Sequence, residues 1–260
     1  MPASALPFDA LPGVWPATAL AGGGVRTLPT GHAPLDAELP GGGWPLGALI
    51  ELLQPTPDAP FWPLLWPALA AHQRAQGGQV VLVNPPHEPF IPAMAAAGLV
   101  AADVLWLQPG TPAAQLWAAE QALRCGSIHT VLAWLPQARV PELRRLHLAA
   151  AQHARVLLLA LRADRAAHNA SPALLRLSVA SDGPEALRVH ILKRRGPPLV
   201  TPLQLPATAP PLHALLATEH RARTKPAGAL VLPFDAARSA TTEYHVPTSL
   251  TLLDRPALAA

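Results

Sequence analysis

Lysine, cysteine and charge are scarce in this chain of 260 residues. Lys193 and Lys225 are its only lysines, and charged residues make up 13% of the sequence, which is low for a globular protein. The single cysteine, Cys125, excludes an internal disulfide and gives no support for a disulfide-stabilised secreted fold. The histidines and Cys125 show no zinc-site spacing, so we expect no metal and no other cofactor.

Long apolar runs are missing as well. No stretch of about 18 uncharged apolar residues without proline occurs, as a membrane span would need. The N-terminus lacks the charged region and uninterrupted apolar run that are typical of a signal peptide. We therefore expect a cytoplasmic protein without membrane contact. The net charge of +3 and the pI of about 9.7 permit a nucleic-acid or acidic partner without requiring one.

A phosphate-binding loop is also missing from a region that is otherwise laid out like a nucleotide-binding α/β domain. Such a loop has the form G-x-x-x-x-G-K-[ST], because its backbone N–H groups surround the phosphates and its lysine neutralises them. After the apolar run 48–53, the segment 54–60 contains three prolines, no glycine and no lysine. Each proline removes one N–H donor. The sequence therefore argues against P-loop ATP hydrolysis, and we expect a protein that is not an enzyme.

Short apolar runs alternate with helical patterns between residues 48 and 161, which predicts a mostly parallel sheet with helices on both faces. The predicted strands are 48–53, 80–83, 104–107, 130–134 and 156–161. The predicted helices are 61–76, 88–97, 112–124 and 140–152; Thr111 and Pro112 form an N-cap and first-turn pair. Two further strands, 174–179 and 187–192, are separated by a Ser-Asp-Gly-Pro turn and predict a C-terminal antiparallel hairpin.

Proline and small residues dominate both ends of the chain. We interpret residues 1–27 as a flexible arm, 28–205 as the core domain, and 206–260 as a largely disordered Pro/Ala-rich tail. The string Leu-Pro-Phe-Asp-Ala occurs at 6–10 and again at 232–236. Phe234 is a candidate partner-binding residue because an anchored Phe in an extended segment is typical of short docking motifs. Chance recurrence in a Pro/Ala-rich chain is the competing explanation.

The order of these elements resembles the core of RecA recombinases over roughly residues 28–205. The lead-in is Thr30-Gly31-x3-Leu35-Asp36-x2-Leu39-x-Gly41-Gly42-Gly43-x-Pro45-x-Gly47, followed by the apolar strand. Within that superfamily the chain resembles ImuA, a RecA-like and SulA-related accessory protein of translesion synthesis. The strings that carry this likeness are Leu39-Pro-Gly-Gly-Gly-Trp-Pro45, Trp117-Ala-Ala-Glu-Gln-Ala-Leu123, Val131-Leu-Ala-Trp-Leu135 and Leu192-Lys-Arg-Arg-Gly196.

The resemblance implies a function in DNA repair and induced mutagenesis during the SOS response. The implied partners are an ImuB-like, Y-family polymerase-related protein and, further, RecA and an error-prone replicative-type polymerase. It also implies a degenerate ATP site near Gln54, Pro60, Pro86 and Trp134. Pro86 stands where a RecA ATPase has its water-activating glutamate, and Trp134 stands where the magnesium-side aspartate belongs. Glu88, two positions further, is not assumed to substitute.

Basic residues near the end of the core are candidates for weak DNA contact. The resemblance places a DNA-contacting loop at 162–171, beside the densest basic cluster, and arginine and lysine can neutralise phosphates. A solvated surface or a protein contact is the alternative, because no aromatic residues are interleaved for base stacking. The candidates are Arg162, Arg165, Lys193, Arg194 and Arg195.

Most of the tryptophans are expected in the core. Trp44 follows a glycine turn and is therefore a candidate partner-binding residue, since tryptophan is enriched at binding hot spots. A second functional hypothesis is a SulA-like inhibitor that binds the division protein FtsZ. The long lead-in and tail favour the ImuA type, since a minimal inhibitor needs neither, and a neighbouring gene for a Y-family polymerase-like protein would discriminate between the two.

Overall fold

The computed structural model describes residues 25–57 and 59–207, and these form a sheet of eight strands with flanking helices. A small two-stranded sheet, β1 (Thr27–Leu28) and β2 (Trp44–Pro45), precedes it. The eight strands are β3 (Leu49–Gln54), β4 (Gln79–Val83), β5 (Val104–Leu107), β6 (Ile128–Trp134), β7 (Leu157–Ala163), β8 (Leu175–Ser181), β9 (Ala186–Lys193) and β10 (Leu203–Pro206).

The strand order in the large sheet is β10-β9-β8-β3-β7-β6-β4-β5. Strands β3 to β8 are mutually parallel, and β9 pairs antiparallel with both β8 and β10. This is an α/β fold with a RecA-like core, a mostly parallel sheet and a C-terminal antiparallel hairpin, as the sequence predicts. The last strand, β10, begins at Leu203 and pairs with β9.

Five α-helices accompany the sheet in the described part of the chain: α1 (Ala33–Glu38), α2 (Trp62–Gln76), α3 (Ile91–Ala96), α4 (Pro112–Arg124) and α5 (Val140–Ala151). The predicted cap of α4 is confirmed, since the Thr111 hydroxyl accepts a hydrogen bond from the amide of Ala114 at 3.2 Å. The helix predicted over 88–97 begins only at Ile91. Pro89 lacks an amide hydrogen, and Phe90 has extended backbone.

Two apolar layers cover the sheet, one on each face. α2 and α3 pack on one face, where residues such as Ile50 and Leu52 of β3 point, and α4 and α5 pack on the other, with Leu49. All six residues of β3 are buried, because this central strand is covered on both faces. The carboxyl ends of the parallel strands therefore lie side by side at one end of this covered sheet.

Candidate functional site

The carboxyl ends of β3, β4, β6 and β7 open into one cleft, because these four strands run in the same direction. The cleft has a volume of about 530 Å³. Gln54, Pro86, Trp134 and Arg162 line it, so the structure brings together three of the four residues predicted for the degenerate ATP site. Pro60, the fourth, lines a neighbouring groove of about 280 Å³, whose walls also include Pro86, Glu88 and Trp134.

The loop after β3 is closed by its own hydrogen bonds. The Gln54 side chain is buried, and its Nε2 donates to the carbonyl of Ala59 at 2.9 Å. The amide of Ala59 in turn donates to the carbonyl of Thr56 at 3.1 Å. Pro55, Pro57 and Pro60 have no amide hydrogen to offer. The described residues of this loop therefore do not form the row of free N–H groups that holds phosphates in a P-loop.

Aromatic rings fill the start of α2, the helix that follows this loop. We call Phe61, Trp62, Trp66 and Trp134 the aromatic cluster. Trp62 stacks on Trp66 with ring centroids 4.4 Å apart and on Phe61 at 4.7 Å. Trp134, from the end of β6, lies 6.0 Å from Phe61 and 6.2 Å from Trp62. These contacts pack aromatic rings around the first turns of α2, the helix that follows the first strand of the large sheet, where a nucleotide-binding protein uses a helix N-terminus to hold a phosphate.

The N-terminus of α2 is also a poor anion site in its own right. Phe61 is the N-cap and its side chain accepts no capping hydrogen bond. Pro63 removes one first-turn donor, and the amide of Leu64 is already bonded to the carbonyl of Phe61 at 2.9 Å. Fewer free donors mean a weaker attraction for negative charge at this end of the helix.

No carboxylate from the described residues lines the 530 Å³ cleft. Its polar side chains include the amides of Asn84, Gln108 and Gln115. Asn84 has a positive φ of 55°, and its Nδ2 donates to the carbonyl of Trp134 at 3.4 Å. A left-handed asparagine that bonds to the neighbouring strand end fixes the turn after β4. These neutral groups can donate and accept hydrogen bonds, but they cannot activate water as a carboxylate does.

Arg162 is not a surface cation, which corrects the prediction that it contacts DNA. Its side chain is 5% exposed, and Nη1 lies 2.6 Å from Oε1 of Glu51, which is 0% exposed. Arg176 of β8 binds the other carboxylate oxygen at 2.5 Å. We call Glu51, Arg162 and Arg176 the buried triad. An arginine that is already paired inside the protein cannot neutralise a phosphate outside it.

The two arginines of the buried triad also bond to the loops that follow β6 and β7, at the carboxyl ends of the parallel strands. Arg162 Nη2 donates to the carbonyl of Ala138 at 2.7 Å, after β6. Arg176 donates to the carbonyls of Ala166, Ala167 and Asn169 in and after a short 3-10 helix, Asp164–His168. The loop that the RecA resemblance assigns to DNA contact is therefore a short turn held by backbone contacts to Arg176.

Arg194 is also largely buried and paired, so it is not part of an exposed basic cluster. Its side chain is 11% exposed, Nη1 lies 2.8 Å from Oε2 of Glu38, and Nε donates to the carbonyl of Pro197 at 2.8 Å. Arg165, Lys193 and Arg195 are exposed. Lys193 Nζ donates to the carbonyl of Ser171 at 3.0 Å, which places it beside the loop after the 3-10 helix. Only these three members of the predicted set can reach a partner.

The partner-binding prediction for Trp44 is wrong. Trp44 is 0% exposed and lies in the core, because the glycine turn before it folds β2 back against β1. Gly43 permits this close approach, since a Cβ there would clash with the carbonyl of Leu28.

Two other tryptophans are more exposed than the expectation of a core role for most of them. Trp117 is 62% exposed, and Trp106 is 40% exposed. Phe234, with the predicted tail beyond residue 207 and the arm before residue 25, lies outside the described residues.

Sequence reasoning misses two arrangements at this site. Glu51 stands inside an apolar run that predicts only a buried strand, although a lone carboxylate in such a run requires a buried cation. Arg176 is one of the cations that pair with Glu51, but nothing in the sequence around it indicates this role. The aromatic cluster is also missed, although Trp62 and Trp66 stand four residues apart, the helical spacing at which two rings can stack.

No protein-family model matches the chain, and no curated protein matches it. In the described part of the chain, no helix is long and apolar enough to cross a membrane. Within residues 25–57 and 59–207, no group of three or more His, Cys, Asp or Glu side chains is placed to hold a metal ion.

Proposed function

We propose that this protein is a non-catalytic RecA-like accessory protein of the ImuA type. It acts in the DNA damage response as a cytoplasmic partner of the translesion synthesis machinery. The observation that carries the proposal is the aromatic cluster, which fills the start of α2 behind a loop closed by Gln54. A RecA-like frame that retains its sheet but lacks the groups that bind and activate a nucleotide acts through its surfaces.

Three features of the cleft support the absence of ATP hydrolysis. The described residues of the loop after β3 offer no row of free amides, since Gln54 and Ala59 bond within the loop. By the sequence resemblance, Pro86 stands in place of the water-activating glutamate and Trp134 in place of the magnesium-side aspartate. Each change removes a different requirement of phosphoryl transfer: phosphate binding, water activation and metal positioning. A neighbouring residue could replace one of these functions, whereas the loss of all three leaves none of the residues that phosphoryl transfer requires.

The partners that we propose are those implied by the sequence resemblance. An ImuB-like, Y-family polymerase-related protein is the principal one, and RecA and an error-prone replicative-type polymerase are further candidates. Arg165, Lys193 and Arg195 are exposed and supply the positive surface for weak DNA contact or for an acidic partner. The second Leu-Pro-Phe-Asp-Ala string, with Phe234, is the proposed docking segment for the ImuB-like protein.

Co-purification with an ImuB-like protein tests the proposal. We expect the full-length chain to retain the partner, and a chain truncated after Ala207 to lose most of it. The truncation point keeps β10 intact, because the amide of Ala207 donates to the carbonyl of Glu185. Phe234→Ala should weaken binding, whereas Phe8→Ala, in the first copy of the string, is the matched control.

Two results would contradict parts of this proposal separately. Equal retention by the full-length and truncated chains would show that the tail is not the docking segment, while the partnership itself would stand. No retention of an ImuB-like protein by the full-length chain, together with binding to FtsZ, would reject the translesion assignment and favour the SulA-like inhibitor.

A further inference from the structure

The outer edge of β5 carries no paired strand in the part of the chain that the structure describes. This strand, Val104–Leu107, lies at one end of the eight-stranded sheet and contains only apolar residues. Leu105, Trp106 and Leu107 are 36%, 40% and 37% exposed. In the described ranges no strand pairs with the outer side of β5. An exposed apolar edge strand without a charge, proline or bulge is a template for pairing with another strand.

The opposite edge of the sheet is protected, and the contrast is informative. The amide of Ala207 donates to the carbonyl of Glu185, so Ala207, Leu205 and Leu203 direct their backbone groups towards β9. The alternate positions, Pro202, Gln204 and Pro206, therefore face outwards. Two of these three are prolines, which cannot donate to an added strand. Within residues 25–57 and 59–207, the β10 edge is blocked in this way and the β5 edge is open.

The hydrogen-bond pattern of β5 identifies the groups that are open. The amide of Asn84 donates to the carbonyl of Leu107, and Val83 is paired with Leu107 in the parallel ladder with β4. Leu107 and Leu105 therefore direct their N–H and C=O groups towards β4. The N–H and C=O groups of Val104, Trp106 and Gln108 point away from the sheet.

We propose that a second copy of this chain pairs with β5, antiparallel, about a two-fold axis at Trp106. In this register Trp106 faces its own copy, and Val104 faces Gln108 of the other copy. The pair of Val104 with Gln108 occurs twice because of the two-fold axis, which gives three pairs with that of Trp106. Each is a hydrogen-bonded pair, so together they form about six interstrand hydrogen bonds. The open groups are symmetric about Trp106, which is the condition for a self-complementary interface.

Charge and side-chain direction select this register over the neighbouring ones. A shift that centres the axis on Leu105 leaves only two hydrogen-bonded pairs and sets Asp103 opposite Leu107. A shift by half a step pairs residues that point to opposite faces of the sheet, which antiparallel strands do not allow. With the axis at Trp106, Asp103 lies beyond the paired segment and no like charges face one another. The self-association is independent of the translesion assignment.

The test measures the molar mass of the full-length chain by sedimentation over a concentration series, for the wild type and for Trp106→Lys and Trp106→Glu. We expect the wild type to reach twice its chain mass of 27.2 kDa and each variant alone to remain at 27.2 kDa. In either variant two like charges would meet at the axis. An equimolar mixture of the two variants should recover the doubled mass, because the ammonium group of one variant then faces the carboxylate of the other.

The control is Leu148→Lys, which introduces the same charge at an apolar residue of α5 that is 58% exposed and lies away from this edge. It should sediment as the wild type does. Recovery in the mixture also excludes misfolding as the cause of dissociation. Any of three results would overturn the proposal: a monomeric wild type, a doubled mass for Trp106→Lys alone, or no recovery of the doubled mass in the mixture. A monomeric wild type would mean that any strand pairing with β5 comes from a different protein.

Discussion

Arg162 Nη1 lies 2.6 Å from Oε1 of Glu51, and this ion pair joins β7 to β3 in the interior of the protein. Arg176, directly opposite Glu51 in β8, binds the second oxygen. One carboxylate of β3 therefore compensates two buried guanidinium groups, one on each of the adjacent strands β7 and β8. Removal of the carboxylate is more serious than removal of either arginine, because two positive charges would then remain buried without a counter-ion.

Glu51→Gln keeps the size of the side chain and removes only its charge. We expect a loss of about 3 kcal/mol or more in the free energy of unfolding, measured by urea denaturation, as is typical when a buried pair loses one partner. Glu142→Gln is the control, because its partner Arg139 is 81% exposed. That variant should unfold close to the wild type. Equal stability of the two variants would contradict a structural role for the buried triad.

Trp134→Ala should destabilise the protein by about 3–5 kcal/mol, because it removes a 6% exposed indole from the aromatic cluster. Near-ultraviolet circular dichroism should also change, since Trp62 and Phe61 lose a packed neighbour. Trp117→Ala, at a 62% exposed tryptophan, should leave both the stability and the spectrum nearly unaltered. A small effect of Trp134→Ala would mean that the cluster does not hold the start of α2.

His147 should make the stability depend on pH. Its Nδ1 accepts a hydrogen bond from the amide of Leu49 at 3.1 Å, and burial lowers its pKa below the ordinary 6.5. His147 therefore binds a proton more readily in the unfolded chain than in the folded one. Its contribution to the free energy of unfolding is fully present above pH 6.5 and decreases as the pH drops below it. His147→Gln retains an acceptor without titrating. Its unfolding free energy should vary less between pH 7.5 and about 5; an unchanged pH profile would exclude His147 as a contributor.

Any affinity for single-stranded DNA should depend on Arg165, Lys193 and Arg195 and not on Arg162 or Arg194. We expect the triple alanine variant to bind more weakly and to lose about 0.7 of salt slope for each phosphate contact removed. Anisotropy titrations over a salt series measure both quantities. Arg144→Ala, at an exposed residue of α5, is the control. An identical slope in the triple variant would show that this surface does not contact DNA.

Local chemistry makes the fold predictable, whereas burial at the site depends on distant parts of the chain. The apolar run 48–53 and the Thr111 cap act within a few residues, and both predicted elements are present. The sequence around Trp44 is typical of a loop, and only the pairing of β2 with β1 buries this residue. Trp106 stands in an apolar run typical of a core strand, and it is exposed because that strand takes the end position of the sheet. Arg162 resembles a surface cation until the register of β7 and β3 sets it near Glu51.

Calorimetric titration of the full-length protein with Mg-ATP tests the central claim most directly, namely that this RecA-like frame has lost its nucleotide site. With the start of α2 filled by the aromatic cluster and the loop closed by Gln54, we predict no binding heat and no hydrolysis in the presence of single-stranded DNA. Saturable ATP binding, with DNA-stimulated hydrolysis that Glu88→Gln abolishes, would contradict the account.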